Sequence, residues 1–352
     1  WLSVLIILSA FAVPTWAMDL TPYAKPDATL VSVDAARRLA LWHSLLDEAY
    51  LKQGDHTQKT DAELASLLTF TANYMLNTVR ADPEMTACAK RLAAEGGNPD
   101  PLAAFAWFQL NNNEQNPLAN QACDKTMAAF EHEDPTRTPV RYAHMIRVFA
   151  YTYALGTTRP RSHPENLAMA TLISGRLRDQ LVASILAHEC DPAPSSLLRY
   201  VRRISLEDST AAEDMITAIT AAFATAKTEP WVAHAVLTQL SITAAWSWRG
   251  SGWSSTVTPE GWKGFERHLA AAEAHLTEAY RLQPTEPHLG VMGITLAGAG
   301  HSKIIMNEWF RRSVSACFDN REIWDQLRQF GTPRWGGSYD HLLALGCDAV
   351  AT

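Results

Sequence analysis

Charge is scarce in this chain of 352 residues: Asp, Glu, Lys and Arg together make up 19%, against 47% hydrophobic residues. That balance excludes a disordered, collagen-like or coiled-coil protein. Lysine is rarer still, with 8 residues beside 22 arginines, and the 37 acidic residues leave a formal net charge of −7. A mildly acidic surface argues against nucleic acid as a partner, because sequence-independent binding depends on neutralising phosphates. No Lys follows a Gly, so a P-loop is absent, and no G-x-G-x-x-G or G-x-S-x-G occurs. None of the lysines has Ser or Thr three positions earlier, which removes the S-x-x-K nucleophile. The 12 histidines never come closer than the seven positions between His268 and His275, so H-x-x-x-H and H-x-H metal pairs are missing. No metal, no cofactor and no catalytic residue is expected. Clean period-2 alternation is lacking too, which leaves a sheet unsupported.

The uncharged run WLSVLIILSAFAV at Trp1–Val13 is too short for a membrane span and has the length of a signal-peptide core. Thr15 and Ala17 stand at −3 and −1 of a cleavage site, so residues 1–17 are expected to be removed. The mature protein is then periplasmic or secreted, without stable membrane insertion. An oxidising compartment permits disulfides among Cys88, Cys123, Cys190, Cys317 and Cys347. Cys88 with Cys123, and Cys317 with Cys347, are pairings suggested by neighbouring helices; five small buried hydrophobes is the other reading.

What the chain has in plenty is helical periodicity. Asp34–Tyr50 places Leu39, Trp42, Leu45, Leu46 and Ala49 on one face, and Thr60–Val79 repeats the pattern. Asp-Pro pairs at 82, 100, 134 and 191 read as helix starts with Pro in the first turn. Further helical segments run to Trp248, and Arg249–Pro259 (RGSGWSSTVTP) is a loop between two long helices. The helix Trp262–Leu282 ends in RLQPTEP, as the second helix of a tetratricopeptide repeat does. EWFRRSVSACFDN aligns with AHLTEAYRLQPTE at an offset near the usual ~34 residues. The expected fold is all-α: stacked helical hairpins in a tetratricopeptide-like α-solenoid. Residues 18–160 would form an N-terminal helical region and 161–352 a C-terminal one, with a hinge at 155–165.

Residues 244–346 carry a more particular pattern. Trp248, Arg249, Gly250 and Gly252 precede Trp262 and Phe265; then come Pro284, Pro287, Trp309 and Phe310, and finally Pro333, Arg334, Trp335, Gly336, Gly337 and Ser338. In this order they resemble an uncharacterised bacterial domain family with tetratricopeptide-like helices and a C-terminal PRWGGS signature. The resemblance implies a helical-repeat fold and supplies no catalytic residues.

Seven of the 12 tryptophans lie between 246 and 335. Trp253 and Trp335 sit in Gly-rich contexts beside Arg249 and Arg334. Trp248, Arg249, Trp253, Trp262, Arg334 and Trp335 therefore form the candidate binding set, since indole and guanidinium supply stacking and cation–π contacts. Gly250, Gly252, Pro333, Gly336 and Gly337 are read as its structural support. The competing reading makes these tryptophans core plugs. His188-Glu189-Cys190-Asp191 reads as a helix end, and Glu131 with His132 and Glu133, or Glu207 with Asp208, as exposed helix ends. Arg199, Arg202 and Arg203, like Arg311 and Arg312, read as solvated helix faces. The expected function is an exported, non-catalytic module that binds a protein or peptide. A cell-envelope hydrolase or sugar-binding protein using the Trp/Arg groove is the alternative.

Overall fold

A computed structural model describes residues 28–54, 61–76, 79–80, 82–94, 100–111, 117–131, 142–157, 164–206, 208–318, 320–335 and 337–351. The leader expected at 1–17 lies outside them, as do His132, Glu133, the Asp-Pro pair at 134, Glu207 and Gly336. Among the described residues every regular element is a helix. In chain order they are α1 (Ala28–Leu45), α2 (Asp47–Gln53), α3 (Asp61–Met75), α4 (Pro83–Leu92), α5 (Pro101–Asn111) and α6 (Pro117–Glu131). There follow α7 (His144–Thr157), α8 (Pro164–Leu186), α9 (Pro194–Val201), α10 (Ser209–Thr225), α11 (Pro230–Arg249) and α12 (Pro259–Leu282). The last four are α13 (Pro287–Gly298), α14 (Met306–Ala316), α15 (Arg321–Phe330) and α16 (Tyr339–Ala351).

Helix starts are written locally. Eight of these helices open on proline, whose missing N–H is no loss in the first turn. The residue before it often caps: Asp82 accepts from the Glu84 N–H, Asp100 from Leu102, Thr258 from Gly261 and Glu286 from His288. Asp191-Pro192 departs from the expectation. It lies in a turn, and α9 begins at Pro194. Asp34–Tyr50 is also not one helix, because Leu46 leaves helical backbone angles (φ −110°, ψ −86°) and Asp47 opens α2. The Asp47 carboxylate is held there by His43 and by Thr69 of α3, at 2.8 and 2.9 Å.

The chain divides into two compact units, one of Thr29–Gln283 and one of Pro284–Thr352. The division falls inside LQPTEP. Helices α7 and α8, on either side of 158–163, pack against each other. Of the expected hinge, residues 158–163 lie outside the described set. In the larger unit consecutive helices pack in adjacent pairs, α5 on α6, α7 on α8 and α11 on α12, which is the helical-repeat arrangement. In the smaller unit α13 packs on α14 and α15.

The core of the larger unit is aromatic. Trp42 stacks on Phe105 at 6.4 Å and meets Tyr200 edge-on at 5.9 Å, and Phe149 meets Tyr200 at 4.8 Å. These rings tie α1, α5, α7 and α9 together. Every residue of α5 is buried. Asp100 caps α5 and also accepts from the Tyr142 hydroxyl at 2.7 Å. The 188–191 segment is structural as expected, and more specific than a helix end. His188 adopts a left-handed φ of 58° and pairs with Asp191 at 2.8 Å. The Glu189 carboxylate accepts the N–H groups of His144 and Met145, both at 2.8 Å, and so caps α7 from the far end of α8. No disulfide joins any of the five cysteines, so neither suggested pairing forms. Cys123 and Cys190 are buried, and burial pushes the Cys190 thiol up to about 12, where it is inert.

Two tests follow from this packing. Glu189→Ala removes both acceptors from the α7 start and is expected to cost about 1–2 kcal/mol in urea unfolding. The second concerns His234 and His275, whose Nδ1 atoms face each other at 3.0 Å between α11 and α12. Burial first, and the neighbouring His234 second, hold His275 below the ordinary histidine range. The unfolded chain therefore binds the proton more readily. The contribution is fully present above the unfolded value of about 6.5 and is lost progressively as pH falls below it. Melting temperature between pH 8 and pH 5 should drop more in wild type than in His275→Gln.

Candidate functional site

The α11–α12 corner carries most of the expected binding residues. Helix α11 stops at Gly250, whose φ of 71° suits glycine and whose N–H still reaches the Trp246 carbonyl at 2.9 Å. Arg249 folds back over the turn. Its Nη1 donates to the Gly250 and Gly252 carbonyls, both at 3.1 Å. Its guanidinium lies 5.5 Å from the Trp246 ring and 5.7 Å from the Trp262 ring. Phe265 meets both indoles edge-on, at 5.2 and 5.7 Å. A short 3-10 turn, Ser254–Thr256, then fixes the tip. The Trp253 carbonyl accepts from the Thr256 N–H at 2.9 Å and the Thr256 hydroxyl at 2.8 Å. The Trp253 backbone is thus held while its side chain stands in water, 78% exposed.

Trp248 faces another way. Its Nε1 donates to Glu213 Oε1 of α10 at 2.9 Å, and its ring lies against Gly264 of α12. Arg267 and His268 converge on the same carboxylate oxygen, and the Arg267 guanidinium sits 5.6 Å from the Trp248 ring. Burial pushes Glu213 up, but hydrogen bonds from His268 and Trp248 and the Arg267 charge outweigh it, leaving Glu213 below the usual carboxylate range. A carboxylate held ionised by three donors is an anchor, not a general acid.

Arg334 and Trp335 belong to the smaller unit. Pro333–Trp335 is a single 3-10 turn in which the Trp335 ring lies 5.0 Å from Phe330 and 5.9 Å from the Arg334 guanidinium. Trp335 is half-buried and Arg334 exposed. The Gly337 N–H donates to the Thr332 carbonyl at 3.1 Å, and a Cβ on Gly337 would fall 1.9 Å from the Gly331 oxygen. The turn closes that tightly only with glycine there. Trp246, Arg249 and Trp262 form a buttress, Trp253 is the exposed ring and Trp248 is an anchor, while Arg334 and Trp335 make the 3-10 turn of the smaller unit.

One group escaped the sequence reading. Arg199 and Arg203, expected as part of a solvated face, line a cavity of about 200 Å³ together with Arg38, Gln109 and Ser196. The only local signal was Arg199 and Arg203 standing four apart, the first in α9 and the second just past its end at Val201.

Among the described residues no helix is long and apolar enough to cross a membrane, and no group of three or more His, Cys, Asp or Glu is placed to hold a metal ion. No family model matches the chain, and neither curated proteins nor solved structures gave a match.

The Trp248 anchor sets a steric test. A Cβ on Gly264 would meet Trp248 Cδ2 at 2.3 Å, whereas one on Gly175 in α8 meets nothing within 4 Å. Gly264→Ala is expected to destabilise by about 1–3 kcal/mol despite its better helix propensity, and Gly175→Ala to stabilise by about 0.5–1 kcal/mol. Denaturant midpoints of the two variants check both signs.

Proposed function

We propose that the protein is an exported, non-catalytic helical-repeat module that binds a protein or peptide partner at the α11–α12 corner. The observation that carries this reading is Trp253, 78% exposed on a loop whose backbone is pinned by Arg249 and Thr256. A large indole left in water forgoes its burial free energy. Holding it on a pre-ordered turn lowers the ordering cost when a partner covers it. Trp with a neighbouring Arg is the chemistry most enriched among interface residues that dominate affinity. Export rests on the apolar leader and its small-residue cleavage site, and places the module in the periplasm or outside the cell. The PRWGGS resemblance to a tetratricopeptide-like bacterial family implies a helical-repeat fold and adds no chemistry of its own.

The test compares wild type with Trp253→Ala, which removes an exposed ring and should leave the melting temperature within about 1 °C. Each chain, without residues 1–17, is immobilised and exposed to envelope extract, and bound proteins are identified. A partner retained by wild type and lost with Trp253→Ala is the expected result. Equal retention by both would remove the corner from the interface.

A further inference from the structure

The structure assigns a metal site to the end of the α11–α12 pair away from the Trp253 loop: the Nδ1 atoms of His234 and His275 ligate one divalent ion of the copper and nickel class, and water fills its remaining positions. His234 stands near the start of α11 and His275 near the end of α12, so the site shares no residue with the α11–α12 corner. The two histidines are 41 positions apart in the chain, and no short spacing announces them.

Their separation selects the class of ion. Imidazole nitrogens bind such ions at ~2.0–2.1 Å, so two nitrogens 3.0 Å apart subtend roughly 95° at the ion. That is the angle between neighbouring ligands of a tetragonal or octahedral centre, the geometry of Cu(II) and Ni(II). A tetrahedral ion would need the nitrogens ~3.3 Å apart. No third His, Cys, Asp or Glu among the described residues joins the pair. Both side chains are half-buried, which leaves the site open to water on one side.

Without metal, one ring donates its Nδ1–H and the other accepts, and each is the other's only hydrogen-bond partner among the described residues. When the ion binds, the donor ring carries its proton on Nε2 instead. Starting from two neutral rings, no net proton leaves. Burial, then the neighbouring His234, holds His275 below the ordinary histidine range, so at neutral pH it is already in the ligating form. The backbone at both positions is fixed by packing. Ala235 and Val236 beside His234 and Leu276 beside His275 are buried, and further along the pair Trp246 meets Phe265 at 5.2 Å. The two ligands are therefore placed before the ion arrives, as a precise site requires. Glu278, one turn along α12 from His275, is tied to Arg281 at 2.5 Å and stays outside the ligand set.

The probe is Cu(II), titrated calorimetrically into the metal-stripped full chain near neutral pH with a weak competing chelator that suppresses loose surface binding. One ion per chain is expected, with a rise in melting temperature. The bound ion should give a tetragonal electron paramagnetic resonance spectrum whose pulsed modulation reports two imidazoles. Affinity should fall by about tenfold or more in His234→Gln and in His275→Gln, since even outer-shell partners of a metal carry about tenfold. It should keep its wild-type value in His188→Asn, which removes an exposed ring elsewhere and leaves a residue that tolerates the left-handed φ of 58°. Absence of one-to-one Cu(II) binding would overturn the site, as would folded His234 and His275 variants that bind like wild type. A spectrum that reports one imidazole or none would do the same, and that measurement needs no variant to fold.

Discussion

Eleven consecutive residues, Pro101–Asn111, leave α5 no face to turn towards water. A helix that is apolar all round has to be enclosed, and the requirement reaches its neighbours: α3, α4 and α6 pack directly on α5. Phe105 and Phe108 extend the enclosure through their ring contacts with Trp42 and Phe149. Each large side chain buried this way contributes about 1.5–3 kcal/mol of transfer free energy. The polar groups that must enter this core are consequently committed. Asp100 is both cap and tyrosine acceptor, and Arg147 donates to the Tyr142 carbonyl at 2.8 Å while its guanidinium lies over Phe130. Trp107 Nε1 and Gln109 Nε2 of α5 and Ser196 Oγ of α9 are the exceptions in this part of the core, buried without a hydrogen-bond partner.

The α11–α12 corner solves a different problem. Two long helices lie close enough that Gly261 and Gly264 meet the Trp248 main chain and ring directly. The loop that joins them spans a short gap, held at its tip by the Thr256–Trp253 bonds and at its start by Arg249. One guanidinium, between two indoles and across two carbonyls, replaces the hydrogen bonds that the turn cannot make with itself. Its charge stays near solvent while its flat faces contact the rings, so little desolvation opposes the arrangement. The smaller unit reaches a comparable end by sterics: Gly290, Gly293 and Gly298 of α13 admit Ser313, Trp309 and Phe330 at distances no Cβ would allow.

Some of the candidate site was legible in the chain because it is local. Arg249, Gly250 and Trp253 are neighbours in sequence, and a Gly/Ser-rich break between two helical patterns already marks a corner. Trp262 joins them because the loop is short. The role of Trp248 was not legible, since Glu213 lies on another helix and nothing near Trp248 announces a carboxylate partner. The same limit hid the capping role of Glu189, whose acceptors serve a helix more than forty residues earlier.

The sequence by itself determined the all-α class, the helix starts at Pro83 and Pro101 and the position of the α11–α12 loop. Proline in the first turn, a capping side chain before it and a 3.6-residue apolar period each act within a turn or two of chain. Only the tertiary structure decided which faces meet. It broke the first helix at Leu46 and set the unit division at Gln283/Pro284. It also gathered Arg38, Gln109, Ser196, Arg199 and Arg203 around one cavity. Periodicity states which side of a helix is apolar. It carries no information on which distant helix covers that side, because that choice belongs to the packing of the whole core.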